Sequence, residues 1–277
     1  MNDNSTPGIG SFVVTTIEDP LGPNATQALG INSQGEIVGG YVGGDGLSHG
    51  FLYADGTYTT IDDPIATLAG GQTYATGISA SGVIVGIYSD ASGNHGFVDA
   101  GGVFTTLDDP LGVQTFAQGI NSSGDVAGGY YDGSRFHGFV YSHGSFTTIA
   151  DPNATTTFVL ADGINSAGTV VGIYDDGTGQ HGFVDYKGVL TTLNDPLGFA
   201  GTTTVGGIND RGQVSGEYID ATGPHAFIYQ DGVYTTIDSP LALGPAGISS
   251  TVSVVGAYSD GSGYHGFVAT PVHGESA

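Results

Sequence analysis

Residues 77–110 read GISASGVIVGIYSDASGNHGFVDAGGVFTTLDDP, and variants of this stretch recur along the whole chain. Its most constant element is a His-(Gly/Ala)-Phe triplet that occurs six times, at spacings of 40 to 46 residues. The six histidines are His49, His95, His137, His181, His225 and His265. Repeats of this period form solenoids or propellers, in which each repeat is one supersecondary unit that packs on its neighbours.

Each repeat contains four short apolar runs separated by turns that carry glycine. In the second repeat we predict strands A to D over residues 73–79, 83–88, 95–99 and 103–107. Glycine in the intervening turns supplies the positive φ that tight hairpins require. No segment shows a helical period, so the sequence predicts an all-β protein without helices.

The ends of the repeat array favour a closed ring over an open solenoid. The array begins with a lone D-type strand, Phe12–Ile17, and ends with a C-type strand at 266–270 that has no D strand after it. The first strand can therefore complete the last repeat, which leaves no free sheet edge. An open solenoid would need capping repeats instead.

The sequence thus predicts a single domain over residues 1–277, folded as a six-bladed β-propeller with four antiparallel strands per blade. The 1+3 closure places the N-terminal strand in the last blade. The predicted repeats span about residues 28–64, 72–110, 115–152, 159–196, 203–240 and 245–270 plus 11–20.

The composition excludes several classes of partner. The chain has 277 residues, with 27 Asp and Glu against three Lys and Arg, and a formal charge of −24. Nucleic acids and anionic membrane surfaces are both bound through many Lys and Arg side chains. This chain has few of them, so neither is an expected partner. No run of 18 apolar residues predicts a membrane span. We expect a monomer whose acidity favours cations such as Ca²⁺, cationic partners or simple solubility.

The triplet and its flanking sequence also resemble a known family. His225-Ala226-Phe227, the His-Gly-Phe variants, and the Gly-Ile-Asn-x-x-Gly-x-x-Val-Gly segment before them resemble the bacterial HAF-type extracellular repeats. The resemblance covers all six repeats and implies a secreted or surface protein, but it implies no chemistry. Since no signal peptide is visible at the N-terminus, the extracellular location is an expectation that depends on the resemblance.

Ring topology sorts the loops onto two faces. If strand A is innermost, the loops that join B to C (residues 89–94 in the second repeat) and D to the next A (108–114) share one face. We call it the loop face, and because its loops are long and variable we expect binding there. Its recurrent carboxylates after strand B are Asp90, Asp132, Asp176, Asp220 and Asp260. Those of the Asp-Pro motif after strand D are Asp19, Asp63, Asp109, Asp151 and Asp195.

Two interpretations of these carboxylates are open. Asp before Pro, and Asp at the start of a Ser/Thr-Gly turn, commonly accept hydrogen bonds from nearby backbone N–H groups and need no ligand. Repetition at equivalent positions favours this structural role. The alternative is Ca²⁺ bound by the five carboxylates after strand B, since Ca²⁺ prefers oxygen ligands. The spacing matches no EF-hand loop.

The repeated histidines and tyrosines are interpreted as scaffold. The histidines open strand C, third from the axis, so rotational symmetry makes the six copies diverge instead of converging on one metal. Each His can hydrogen-bond a loop Asp or a backbone carbonyl; a metal in each blade, held by His and a nearby Asp, is the alternative. The repeated tyrosines, together with the phenylalanine of each His-(Gly/Ala)-Phe triplet, are predicted to fill the inter-blade core.

Function is better sought where the repeat is broken. Six unrepeated residues on the loop face are the ligand-binding candidates: Tyr74, Phe116, Arg135, Phe136, Phe158 and Phe199. Arg135 could bind an acidic sugar through its guanidinium, or form a surface ion pair of little consequence. Lys187 and Arg211 are predicted in turns of the opposite face.

Aromatic, carboxylate, amide and hydroxyl groups together are typical of sugar binding. We therefore predict a secreted or surface binding module for a carbohydrate, without enzymatic activity. A polysaccharide lyase or glycoside hydrolase that uses Arg135, His137 and a tyrosine is the second hypothesis, and a purely structural or adhesion module is the third. No nucleophile elbow, Walker loop, dinucleotide fingerprint or zinc-protease motif occurs in the chain.

Overall fold

The repeat folds as four consecutive antiparallel strands, and six such sheets surround a central channel. The computed structural model describes residues 11–149, 158–237, 239, 241 and 243–272. Strand A of each blade is innermost, because residues of all six A strands line the channel. The predicted six-bladed, all-β propeller with four antiparallel strands per blade is confirmed.

The strands follow one another in the order of the repeats. The chain begins with β1 (Phe12–Ile17). Blades 1 and 2 contain β2 (Thr26–Ile31), β3 (Ile37–Val42), β4 (Ser48–Ala54), β5 (Thr57–Ile61), then helix α1 (Pro64–Ala69), β6 (Thr73–Ile78), β7 (Ile84–Asp90), β8 (Gly93–Asp99) and β9 (Phe104–Leu107). Blades 3 and 4 contain β10 (Gln114–Ile120), β11 (Val126–Tyr131), β12 (Phe136–Ser142), β13 (Ser145–Thr148), β14 (Phe158–Ile164), β15 (Thr169–Asp175), β16 (Gln180–Tyr186) and β17 (Val189–Leu193). Blades 5 and 6 contain β18 (Thr204–Ile208), β19 (Val214–Asp220), β20 (Gly223–Gln230), β21 (Val233–Ile237), β22 (Gly244–Ile248), β23 (Val254–Ser259) and β24 (Tyr264–Pro271).

Strand β1 supplies the fourth strand of blade 6. It pairs antiparallel with β24, from Phe12 opposite Pro271 to Ile17 opposite Gly266. The sheet order is β1-β24-β23-β22, so β1 occupies the outermost position that β5 and its equivalents occupy in the other blades. This is the pairing that the offset between the two ends of the repeat array predicts.

The prediction that the chain has no helix is wrong at one place. Helix α1 occupies the longest loop between blades, and six residues are too few to show a helical period. Asp63 caps its start, where the side chain accepts a hydrogen bond from the Ile65 N–H at 2.7 Å. Gly70 ends it in the left-handed conformation at φ 68°.

The inter-blade core is built from the repeated aromatic residues, as predicted. The phenylalanine of every His-(Gly/Ala)-Phe triplet is fully buried, and the strand-B tyrosine beside it is almost so. These residues are Phe51, Phe97, Phe139, Phe183, Phe227 and Phe267, with Tyr41, Tyr88, Tyr130, Tyr174, Tyr218 and Tyr258. Burial of such large apolar surfaces is the main source of stability in a fold that has no disulfide.

The turns between strands A and B are more than plain hairpins. In blade 4 the Asn165 Oδ1 accepts hydrogen bonds from the N–H groups of Ala167 and Thr169, which shapes the turn. Its Nδ2 donates across the blade boundary to the carbonyl of Asn209 at 3.2 Å. Asn32, Asn121 and Asn209 make the same contact to the following blade. The asparagine of the Gly-Ile-Asn motif therefore joins neighbouring blades on the face opposite the loop face.

Each innermost strand contains a β-bulge near its middle. The pairing of strand A with strand B shifts by one residue in all six blades, for example between Ala161 and Gly163. A bulge inserts one residue that has no partner on the neighbouring strand. The inserted residues line the channel, and they are Leu29, Thr76, Gln118, Asp162, Gly206 and Ala246. The channel lining thus differs from blade to blade, although the scaffold repeats.

Candidate functional site

The repeated histidine is the centre of a brace within each blade. In blade 2 the His95 Nε2 lies 2.8 Å from the Ser92 hydroxyl and 3.3 Å from an Asp90 carboxylate oxygen. Its Nδ1 lies 2.9 Å from Asp108, and its ring stacks on Tyr88 at 5.0 Å between centroids. The Tyr88 hydroxyl in turn lies 3.0 Å from the Thr106 hydroxyl of strand D. The brace therefore ties strands B, C and D together.

The same His–Tyr stack occurs in all six blades. In blade 6 the brace reaches the N-terminal strand segment, since His265 Nδ1 bonds Glu18 and the Tyr258 hydroxyl bonds Thr16. The hydrogen bond with Glu18 raises the pKa of His265. These contacts agree with the structural interpretation of the repeated histidines.

The five carboxylates after strand B shape the B–C loops. Asp220 accepts hydrogen bonds from the Thr222 hydroxyl at 2.6 Å and the Thr222 N–H at 2.7 Å. These bonds stabilise the ionised form and lower the pKa of Asp220 to about 2. Asp90, Asp132, Asp176 and Asp260 accept the equivalent bonds from Ser92, Ser134, Thr178 and Ser262.

Calcium at these carboxylates stays a prediction. Within the described residues there is no group of three or more His, Cys, Asp or Glu side chains that could hold a metal ion.

The Asp-Pro carboxylates shape their loops as the carboxylates after strand B do. Each accepts a hydrogen bond from the N–H group two residues ahead, as seen for Asp19, Asp63, Asp109 and Asp195. Asp151 lies outside the described residues.

Three of the predicted ligand-binding residues meet on the loop face between blades 3 and 4. The Phe136 ring lies 5.4 Å from the Phe116 ring and 5.4 Å from the Phe158 ring, measured between centroids. Tyr131 joins them at 5.2 Å from Phe136. All four side chains are half-buried, so parts of the rings remain accessible. We call these four residues the aromatic cluster; Arg135 is exposed and directly precedes Phe136.

Tyr131 was missed by the sequence analysis, although the doubled Tyr130-Tyr131 is unique among the repeats. The first tyrosine of the pair is the repeated core residue, so the second is the unrepeated one. Because B strands alternate sides, the neighbour of a buried tyrosine points away from the core. That alternation could have identified Tyr131 as an accessible residue.

The other two aromatic candidates lie elsewhere. Tyr74 packs between blades 1 and 2, where its hydroxyl lies 2.6 Å from the Ser48 hydroxyl and its ring covers Gly40. Phe199 is 54% exposed in the loop that follows blade 4, and its N–H donates to the Ile219 carbonyl at 2.8 Å. In the described part of the chain no ring contact joins either residue to the aromatic cluster.

Among the described residues of the innermost strands that line the channel, Asp162 is the only carboxylate. Asp162 occupies the bulge position of blade 4, and although the residue as a whole is half-buried, its Oδ2 is shielded from solvent and has no hydrogen-bond partner. Burial raises the pKa of Asp162 well above its ordinary value. At the equivalent position in blade 2, the Thr76 hydroxyl donates to the carbonyls of Val85 and Ala117.

Asp162→Thr is therefore expected to stabilise the fold by about 1–2 kcal/mol at pH 7, because it removes an unpaired buried carboxylate and adds a hydroxyl that can be satisfied. The raised pKa means that the folded chain binds the proton more tightly than the unfolded chain. The free energy of unfolding of the wild type therefore decreases as the pH rises above about 4. Asp162→Thr lacks the carboxylate and should not show this decrease. Urea unfolding at pH 4 and pH 7 measures both effects.

The reciprocal variant Thr76→Asp is the matched control and should destabilise the fold at pH 7. If Asp162→Thr and the wild type have the same free energy of unfolding at pH 7, then the Asp162 carboxylate does not destabilise the fold.

A cavity of about 370 Å³ opens on the loop face between blades 5, 6 and 1. Glu217 and Tyr264 line it, and sequence reasoning singled out neither. Glu217 stands in strand B where the other blades have Gly, Ile or Ala, and Tyr264 precedes the His of its triplet where four other blades have polar residues or Pro. Alignment of the repeats position by position could have found both.

Comparison with known proteins bears on the fold. No family model and no curated protein matches the chain. Among solved structures, a mutant of the Aleuria aurantia lectin AAL in complex with Fucalpha1-6GlcNAc is 13% identical, with a TM-score of 0.52 over 90% of this chain and 96% of the lectin. TolB from Acinetobacter baumannii is 9% identical, with a TM-score of 0.56 over 88% of this chain and 65% of TolB.

Trypanosoma rangeli sialidase in complex with sialic acid is 10% identical, with a TM-score of 0.55 over 94% of this chain and 57% of the sialidase. At these identities the likeness shows the fold alone. The protein is thus a six-bladed propeller in which the repeated residues stabilise the blades. In the described ranges, no helix is long and apolar enough to cross a membrane.

Proposed function

We propose that this chain is a non-enzymatic, extracellular or cell-surface propeller that binds a glycan at the aromatic cluster. The observation that carries the proposal is the meeting of Phe116, Phe136 and Phe158 at one blade boundary. Aromatic rings offer flat apolar faces to the C–H groups of a sugar, and sites of this kind add a few polar groups that set orientation. Exposed Arg135 and the Ser134 hydroxyl of the same loop provide such groups.

The geometry favours binding over catalysis. The enzyme hypothesis needs a histidine with a special role, and His137 was its candidate. The His137 Nε2 instead lies 2.8 Å from Asp132, and its ring stacks on Tyr130 as in every other blade. Because His137 takes part in the brace that recurs in every blade, nothing in its contacts distinguishes it as an acid–base catalyst. A lectin of similar fold in complex with a fucosylated sugar is compatible with glycan binding here.

Phe136→Gln is expected to weaken glycan binding by about 10-fold or more, since a central aromatic side chain often contributes about 2 kcal/mol at an interface. Blade 4 has Gln180 at this position, so the fold accepts the side chain. A glycan array that includes uronate-containing sugars identifies the ligand, and titration calorimetry then compares wild type with the variant.

Phe199→Ala serves as the control, because it removes an exposed aromatic side chain outside the aromatic cluster. It should bind as wild type does. Absence of binding to every glycan, or equal affinity of wild type and Phe136→Gln, would overturn the proposal and leave a structural module.

A further inference from the structure

The cavity between blades 5, 6 and 1 exists because two repeat positions depart from the pattern. In blades 2 and 4 a side chain of the innermost strand fills the equivalent space: Tyr74 contacts the strand-B glycine of the preceding blade, Gly40, and Leu160 contacts Gly129 in the same way. In blade 6 the equivalent residue is Gly244, which leaves the space empty. The strand-B position opposite it, in blade 5, is Glu217.

The Glu217 carboxylate faces this space. A Cβ placed on Gly244 would lie 3.6 Å from the Glu217 Oε2. The side chain is half-buried, and among the described residues it has neither a hydrogen-bond donor nor a basic partner. Burial raises the pKa of Glu217. A partly buried carboxylate without a protein partner can accept hydrogen bonds from water or from a ligand, and its position in a cavity favours a ligand that supplies the donor.

The rest of the lining suits a sugar ring. Tyr264 is 57% exposed and lines the cavity. Gln27 and Ser259 add amide and hydroxyl groups. A cavity of about 370 Å³ is within the usual range for small-molecule sites.

The missing donor is better supplied by an ammonium group than by a metal ion. Calcium takes six to eight oxygen ligands and several carboxylates, whereas no group of three metal-binding side chains occurs in the residues that the structure describes. An ammonium group has one charge and three donors. One carboxylate and neighbouring neutral oxygens satisfy it, and the formal charge of −24 attracts it.

We infer that this cavity binds the protonated amine of a hexosamine, with Glu217 paired to the ammonium group and Tyr264 against the sugar ring. The inference rests on the proposed glycan-binding function and adds a second site with its own substrate class, an amino sugar whose amine is not acetylated.

Glucosamine and N-acetylglucosamine are the matched probes, because they share the ring and hydroxyls and differ in the charge of the amine. Binding is measured by calorimetry or ligand-observed NMR. A salt concentration of about 0.15 M screens weak electrostatic attraction between the amine and the acidic protein surface. We expect wild type to bind glucosamine at least about 10-fold more tightly than N-acetylglucosamine. Glu217→Gln, which preserves shape and removes charge, should lose this preference.

Gly244→Leu tests the cavity itself. Leucine is the residue of blade 4 at this position, and the nearest atoms to a Cβ here lie at 3.4 and 3.6 Å, which are ordinary contact distances, so the backbone has room for a side chain that enters the cavity. It should abolish glucosamine binding while Glu217 is retained. Asp231→Asn removes one carboxylate from a turn of the opposite face and should bind glucosamine as wild type does.

The two proposals fail separately. Equal binding of the two sugars by wild type, or an unchanged preference in Glu217→Gln, overturns the amino-sugar site even if Phe136→Gln still abolishes binding of other glycans. Glucosamine binding that depends on Glu217 supports the inference even where Phe136→Gln has no effect on any glycan.

Discussion

Deletion of residues 1–18 is expected to destabilise the ring by more than about 4 kcal/mol, a loss beyond the range of ordinary point substitutions. The deletion removes β1 and its whole ladder with β24. It also removes buried Ile17 and the side-chain contacts of Thr16 and Glu18 with blade 6. Strand β24 would then become an exposed edge that can pair with another chain. Thermal unfolding followed by circular dichroism, with size-exclusion chromatography for aggregation, measures both consequences.

Two single substitutions within β1 measure how much of this stability comes from the packing of a buried side chain rather than from strand pairing alone. Ile17 is 5% exposed and Val13 is 56% exposed. We expect Ile17→Ala to cost about 2–4 kcal/mol and Val13→Ala less than about 0.5 kcal/mol. A synthetic peptide of residues 11–19 should restore the truncated protein by strand addition. A truncated chain that unfolds at the wild-type temperature would contradict the closure argument.

Gly172→Ala is expected to have the next largest effect, about 3 kcal/mol or more of lost stability. A Cβ at Gly172 would lie 2.0 Å from the Leu160 carbonyl oxygen and 2.8 Å from the buried Phe183 ring. Neither neighbour can move, since one is ladder backbone and the other is enclosed in the core. Overpacking of this kind usually costs about 1–3 kcal/mol and more where the backbone must shift.

The same glycine occurs in strand B of every blade, and the distance from a Cβ to the strand-A carbonyl lies between 1.9 and 2.4 Å at all six. These residues are Gly39, Gly86, Gly128, Gly172, Gly216 and Gly256. Gly44→Ala is the matched control, because nothing lies within 4 Å of a Cβ there. Urea unfolding should leave Gly44→Ala near wild type; equal midpoints for the two variants would show that close approach does not explain the repeated glycine.

The sequence predicted the scaffold well because the scaffold is local and repeated. Strand β1 was predicted with the bounds that the structure shows, and the strands of blade 2 agree within a few residues. Helix α1 was missed because six residues give no period. The Asp63-Pro64 start and the Gly70 end were nevertheless visible capping residues.

The candidate site was predicted less completely, and the reason is geometric. Phe116, Phe136 and Phe158 were each chosen because they break the repeat, but nothing local says that they meet. Tyr74 and Phe199 were chosen on the same ground and lie apart from the aromatic cluster. Glu217 was missed because its role depends on the absence of a side chain at Gly244, 27 residues further along the chain.

The sequence by itself therefore determined the number of blades, the strand order and the offset that brings β1 to blade 6. Those features follow from hydrophobic alternation and turn residues that recur in phase, so each repeat carries the full information. Only the tertiary structure decided which unrepeated side chains share a surface. Ring closure brings different blades together, and a contact such as Phe136 with Phe158, or the space between Glu217 and Gly244, depends on residues that no local pattern connects.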